Sequence, residues 1–175
     1  CMTTSVRISR KSMSSSPEVV VLGLGNILME DEGIGVHAAN HLQEHYHFKP
    51  EIEIVDGGTS GLDLLTFFGP EKSVLIIDAV NFEMEPGTVG KLEDDAILAQ
   101  LDPKVSLHHL GLSDLISVAE LTDRKAKRMT LLGIQPKSME NLDLEMTPTI
   151  KGVFDKVIEN ALVILEEWGI KNHKL

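Results

Sequence analysis

The chain has 175 residues, of which 42% are hydrophobic and 25% charged, a composition typical of one globular domain with a sizeable core. Its formal net charge of -11 argues against nucleic acid and anionic lipid as partners, because both bind basic surfaces. No apolar run approaches the length of about eighteen residues that a membrane span needs. Cys1 is the single cysteine, which excludes an internal disulfide and fits a reducing compartment. We therefore expect a soluble, cytoplasmic protein.

The first sixteen residues differ in composition from the remainder. They are rich in Ser and Thr, carry a few basic residues and lack the apolar centre of a secretory signal. We expect residues 1–16 to be a disordered tail or an extension added for expression, and residues 17–175 to form a single domain.

The predicted elements alternate between strands and helices along the chain. Uninterrupted apolar, β-branched runs indicate buried strands, whereas EIEIVDGGT alternates polar and apolar residues before its glycines. The predicted strands are Glu18–Asn26, Glu51–Thr59, Ser73–Val80, Thr88–Leu92 and Arg128–Pro136. The predicted helices are Gly33–Tyr46, Gly61–Phe68, Ile97–Leu101, Leu112–Leu121 and Thr147–Trp168. The last one begins with a cap residue followed by proline.

This order predicts an α/β protein: a three-layer αβα sandwich with a twisted, mostly parallel sheet. Ligands of such sheets bind at the carboxyl ends of the strands. Three polar clusters fall there, namely 26–32, 56–59 and Asp78. The convergence of acidic groups at one edge is the main functional signal in the sequence.

The GLGN segment invites comparison with a dinucleotide-binding turn. The fingerprint G-x-G-x-x-G requires a third glycine, but Leu28 stands in that position. Asp31 and Glu32 would also face the pyrophosphate. A tight turn from strand to helix explains Gly23 and Gly25 better than nucleotide binding does.

The segment HLQEH, from His41 to His45, matches the inverted zinc-protease motif H-x-x-E-H. The motif is short enough to arise by chance. The apolar stripe of the predicted helix leaves these histidines at its margin, so a solvated structural role is the better interpretation.

Glu32, Asp78 and His108 suggest a different site. An aspartate at the end of an apolar strand is costly to bury without a partner. Two carboxylates and one imidazole would supply an incomplete ligand set with open coordination positions, as metal-assisted hydrolysis requires. Such a set suits nickel or zinc. A capping carboxylate and a loop histidine remain the alternatives, because the three residues lie far apart in sequence.

Seven segments occur in one order that resembles a known family. They are GLGNILMEDEGIGV, DGGTSGLDLL, LIIDAV, PGTV, HHLGLSDL, LLGIQP and MTPTI. This ordered set resembles the hydrogenase maturation proteases, which process the large subunits of nickel-iron hydrogenases. The resemblance extends from Val19 to Trp168.

The resemblance implies an endopeptidase that removes a short C-terminal extension from the nickel-loaded precursor of a [NiFe] hydrogenase large subunit. Its acidic ligand falls on Glu32, its aspartate on Asp78 and its histidine on His108, with His109 in a variable position. The loop Asp56, Gly57, Gly58 and Thr59 would bind substrate. Nickel would come with the substrate, so we expect no tight metal of the enzyme's own. A nickel-loading chaperone that binds the same precursor without cutting it is the alternative.

Overall fold

The computed structural model describes residues 16–101 and 110–175. Five strands form the main sheet: β1 (Val19–Leu24), β3 (Glu53–Gly58), β4 (Ser73–Ala79), β6 (Arg128–Ile134) and β5 (Val89–Glu93). Their spatial order is β3-β1-β4-β6-β5. The first four are parallel to their neighbours, and β5 runs antiparallel to β6 at one edge. The predicted fold, an α/β sandwich with a mostly parallel sheet, is confirmed.

Helices cover both faces of this sheet. On one face lie α1 (Ile34–His45) and α5 (Phe154–Glu167), whose apolar side chains pack on alternate residues of β1, β4 and β6. The other face carries a 3-10 helix (Gly61–Phe67), α2 (Asp95–Gln100) and α3 (Leu110–Leu121). Burial on both faces explains why the central strands are apolar without interruption.

Close packing of α1 against the sheet depends on two glycines. A Cβ added to Gly23 of β1 would lie 2.3 Å from the carbonyl oxygen of Gly35 in α1. One added to Gly35 would lie 2.0 Å from the carbonyl oxygen of Ile77 in β4. The glycine that permits close approach of the helix therefore sits inside α1, and not at the third position of a dinucleotide fingerprint.

Three local features differ from the sequence predictions. The predicted final helix is two helices, α4 (Pro148–Lys151) and α5, interrupted at Gly152 and Val153. A second sheet pairs β2 (Tyr46–Lys49) with β7 (Lys171–Lys174), which no pattern had indicated. The sheet of β2 and β7 was missed because KNHK is polar and both strands are short. The predicted helix at 61–68 is a 3-10 helix.

The carboxyl ends of β1, β3 and β4 meet at a topological switch point. The chain passes from β1 to β3 on one side, and then crosses to β4 on the other side of β1. Crossovers on opposite faces leave a crevice beyond the ends of these strands. In the part of the chain described, no helix is long and apolar enough to cross a membrane. The predicted tail lies outside the described residues except for Ser16, whose hydroxyl accepts a hydrogen bond from Lys72 at 2.9 Å.

Candidate active site

A cleft of about 240 Å³ occupies the crevice at the switch point. Glu32 and Asp78 line it together, so two of the three predicted site residues share one cavity. The remaining lining comes from the ends of β1, β3 and β4, from Thr59, from the 3-10 helix Gly61–Phe67, from α3 and from Met139.

Asp78 is the penultimate residue of β4 and is only 7% exposed. Its strand runs between β1 and β6, which places the side chain at the middle of the sheet edge. A Cβ built on Gly25 would lie 3.7 Å from its Oδ1, so the turn after β1 passes beside the carboxylate. Burying an ionised carboxylate is costly, and a cation in the cleft would offset part of that cost.

Glu32 reaches the cleft because the chain turns sharply after β1. Gly25 has φ of +119°, and a Cβ on it would lie 1.8 Å from the carbonyl oxygen of Glu32. Only glycine fits this backbone conformation and this close approach. The short 3-10 turn Glu30–Gly33 then presents Glu32 to the cavity before α1 begins.

The adjacent Asp31 has a different role. It is fully buried, and its Oδ2 accepts hydrogen bonds from the backbone N–H groups of Lys137 at 2.9 Å and Ser138 at 3.0 Å. Its Oδ1 accepts one from the N–H of Thr147 at 2.7 Å, and the Thr147 hydroxyl also contacts the carboxylate. Asp31 therefore anchors the loop 135–147 to the turn that carries Glu32. Sequence analysis missed this role.

The carboxyl end of β3 and the following Thr59 border both the main cleft and a smaller cavity of about 140 Å³. Gly58 and Thr59 line both cavities, whereas Asp56 lines only the smaller one. Gly57 is buried beneath the loop, where an added Cβ would lie 2.7 Å from a methyl group of Leu24. Of the four residues predicted to bind substrate, Gly58 and Thr59 thus lie beside the carboxylates.

His37 lies on α1 behind this loop. Its Nε2 is buried, with no hydrogen-bond partner among the described residues. Burial lowers the pKa of His37, and the nearby Asp56 carboxylate opposes this shift. The ring is therefore neutral near pH 7.

His108 and His109 lie outside the described residues, so the predicted imidazole ligand stays a prediction. Within residues 16–101 and 110–175, no group of three or more His, Cys, Asp or Glu side chains is placed to hold a metal ion. The described part of the cleft offers the two carboxylates of Glu32 and Asp78.

The structure around the H-x-x-E-H motif favours a structural role for its histidines over metal binding. The His41 and His45 rings are stacked, with centroids 4.2 Å apart and planes at 16°. The lone pairs of an imidazole lie in the plane of its ring, so stacked rings do not converge on one ion. Nδ1 of His45 also donates to the carbonyl of His41 at 3.1 Å, and Phe154 packs edge-on against His41.

Part of the cleft's lining is apolar and was not predicted as part of the site. Leu112 and Leu115 contribute from α3, Leu64 from the 3-10 helix and Met139 from the loop 135–147. The helical residues follow an ordinary core pattern, so no sequence signal separates them from other buried leucines. The cleft thus combines two carboxylates with apolar side chains.

Comparison with known proteins places this cleft in a family context. The family model described as hydrogenase maturation protease matches residues 36–164. The chain is 36% identical over 156 residues to the hydrogenase expression/formation protein HupD of Rhizobium leguminosarum bv. viciae, covering 89% of this chain and 77% of that protein. It is 37% identical over 154 residues to the hydrogenase 2 maturation protease of Escherichia coli, covering 87% and 93%.

The fold agrees with these similarities. The hydrogenase maturating endopeptidase HybD from E. coli superimposes with a TM-score of 0.84 at 35% identity, covering 90% of this chain and 97% of that one. A [NiFe] hydrogenase maturation protease from Thermococcus kodakarensis gives a TM-score of 0.66 at 27% identity, covering 84% and 98%. The resemblance inferred from the seven ordered segments is confirmed, and the chain belongs to the hydrogenase maturation protease family.

Proposed function

We propose that this chain is an endopeptidase that removes a short C-terminal extension from the nickel-loaded precursor of a [NiFe] hydrogenase large subunit. The observation that carries the proposal is the position of Glu32 and Asp78 in one cleft at the switch point of a family member's sheet. Two carboxylates beside an apolar wall suit a peptide that brings its own cation.

In this proposal the nickel carried by the precursor activates the scissile peptide bond. A divalent ion polarises a carbonyl and lowers the pKa of a bound water. The oxygen of such a water would bond to the carbonyl carbon, the C–N bond would break, and one proton of the water would pass to the leaving amine. Glu32, Asp78 and His108 would hold the ion beside the scissile bond.

With this incomplete ligand set, we expect the nickel to arrive bound to the precursor. Two carboxylates and one imidazole leave coordination positions open, and the precursor's own ligands fill them. We therefore expect the purified chain to hold no stoichiometric nickel or zinc by elemental analysis. One tightly bound equivalent, essential for cleavage and supplied by the enzyme, would contradict the proposal.

We assign the carboxyl end of β3 and Thr59 to binding of the substrate backbone. Gly58 and Thr59 line the main cleft, where they would border an extended chain that enters it. Asp56 borders the adjoining cavity, where it can hold the next part of the peptide. Gly57 supports the loop from below. We place the reaction in the cytoplasm, consistent with a chain whose single cysteine is Cys1.

Mass spectrometry of a nickel-loaded precursor tests this function. The wild-type chain should release one C-terminal fragment, whereas Asp78→Asn and Glu32→Gln should release none while keeping the wild-type circular dichroism spectrum. Asp155→Asn is the matched control, because this exposed carboxylate lies on α5 and is not among the residues that line the cleft. Binding without any fragment would favour the nickel-loading chaperone instead.

A further inference from the structure

Three exposed leucines form an apolar strip beside the cleft, named here the leucine rim: Leu28, Leu142 and Leu144. They are 50%, 83% and 62% exposed. Two backbone hydrogen bonds join their segments. The N–H of Asp143 donates to the carbonyl of Leu28 at 2.9 Å, and the N–H of Glu30 donates to the carbonyl of Asp143 at 3.0 Å. The three leucines therefore lie on two adjacent, hydrogen-bonded backbone segments.

The leucine rim is held in its exposed position by the fold. The buried Asp31 carboxylate binds both ends of the loop 135–147, through Lys137, Ser138 and Thr147. Glu30 accepts a hydrogen bond from the Ser138 hydroxyl and a longer one from the side chain of Asn141 at 3.4 Å. These bonds fix the backbone of the loop in a conformation that exposes Leu142 and Leu144 to water. Contiguous exposed apolar surface of this kind is typical of interaction sites.

The leucine rim is continuous with the cleft. The segment that carries Leu28 leads within four residues to Glu32, and the loop that carries Leu142 also supplies Met139 to the cavity wall. Short segments of backbone thus join the leucine rim to two residues that line the cleft.

The charge around the leucine rim limits the chemistry of the partner. Glu140, Asp143 and Glu145 are exposed within the same loop, and among them Glu145 pairs with Lys151 at 2.6 Å. The whole chain carries a formal charge of -11. An apolar strip bordered by carboxylates fits an apolar surface bordered by lysine or arginine.

We propose that the leucine rim is the docking surface for the hydrogenase precursor, which it binds through an apolar segment flanked by basic side chains. This inference rests on the proposed function, since it assigns the precursor to the rim of the same cleft. The leucine rim holds the body of the precursor, while the cleft holds the ion and the scissile bond. Docking and chemistry are therefore separable by mutation.

The double variant Leu142→Ser/Leu144→Ser tests the separation. Both side chains are exposed, so we expect the stability of the chain to be unchanged. With the nickel-loaded precursor, KM should rise roughly tenfold or more. Truncation of apolar side chains that become buried at an interface weakens binding by about this factor. The kcat at saturating precursor should stay within about twofold, since the ligands are untouched. The control is Leu121→Ser, which is 85% exposed and about 9 Å further along α3 than the cleft-lining Leu115.

Binding is measured separately in an Asp78→Asn background, where the precursor is not cut. The leucine-rim variant should raise the Kd roughly tenfold. Higher salt should raise the Kd of the chain with an intact leucine rim, because charges flank the contact. Unchanged Kd and KM with a wild-type chain that cuts would overturn the docking surface and leave the proposed function standing. A wild-type chain that binds without cutting would refute the peptidase function. The docking surface would still be tested by comparing the Kd of the leucine-rim variant with that of the intact rim. A wild-type chain that neither binds nor cuts would refute both.

Discussion

Asp31 offers a quantitative test of how the site is held together. Its two oxygens accept hydrogen bonds from three backbone N–H groups, two on Oδ2 and one on Oδ1. In Asp31→Asn an NH₂ group must replace one of these oxygens. The less costly orientation keeps the oxygen at the Lys137 and Ser138 side and leaves the N–H of Thr147 facing another donor.

The expected loss follows from these contacts. A buried donor left without a partner costs about 1–3 kcal/mol, and each of the two remaining bonds loses about 1 kcal/mol with the charge of its acceptor. Relief from burying an ionised carboxylate offsets part of this sum. We expect the free energy of unfolding to fall by about 3 kcal/mol, which lowers Tm by roughly 6–12 °C in a chain of this size.

Urea denaturation followed by circular dichroism measures this change, and amide exchange localises it. The N–H of Thr147 should lose protection, whereas amides in the middle of β4 should keep theirs relative to global unfolding. Glu30→Gln is the control, because its partners are the Ser138 hydroxyl, which can reorient, and the side chain and backbone N–H of Asn141, both at 3.4 Å; it should cost less than about 1 kcal/mol. An Asp31→Asn variant within 1 kcal/mol of wild type would refute the assignment of Asp31 as the anchor of this loop.

Three further predictions concern positions around the cleft. Burial lowers the pKa of His37 below its usual 6.5, so its neutral ring stabilises the fold above about pH 6.5 and this contribution is lost as the pH falls. The unfolding free energy measured between pH 7.5 and 5.5 should therefore fall less steeply in His37→Gln than in wild type, and equal slopes would contradict the shift. His108→Ala should lose processing by orders of magnitude while His109→Ala keeps most of it, assayed on one nickel-loaded precursor. The reverse result would move the ligand to His109. Gly35→Ala should destabilise the chain by about 3 kcal/mol or more in urea, because its Cβ would lie 2.0 Å from the carbonyl oxygen of Ile77; a loss below 1 kcal/mol would mean that α1 can move away.

The sheet was predictable from sequence because its central strands are buried on both faces. VVVLGL, SVLIIDA and RMTLLGI leave no other environment for their apolar side chains than the middle of a covered sheet. The positions of Glu32 and Asp78 followed from the same logic, since Asp78 stands at the end of a strand and Glu32 lies in the connection from β1 to α1. Seven ordered segments then identified the family.

The difference between Asp31 and Glu32 could not be derived from spacing. Both carboxylates stand in one short turn, and their roles depend on a loop more than a hundred residues later in the chain. That loop, 135–147, has no apolar periodicity, so nothing in the sequence indicated that its backbone N–H groups would surround Asp31. The break in the final helix has a similar origin. Thr147 and Pro148 predicted the start correctly, but the interruption at Gly152 was not recognised.

One measurement separates substrate-borne nickel from every other way of activating the peptide bond. The same large-subunit precursor is prepared with and without nickel, incubated with the purified, metal-free wild-type chain, and its C-terminus is analysed by mass spectrometry. We predict a single cut in the nickel-loaded precursor and none in the nickel-free one. Equal cleavage of both forms would contradict the role proposed for Glu32 and Asp78 as ligands of the substrate's ion.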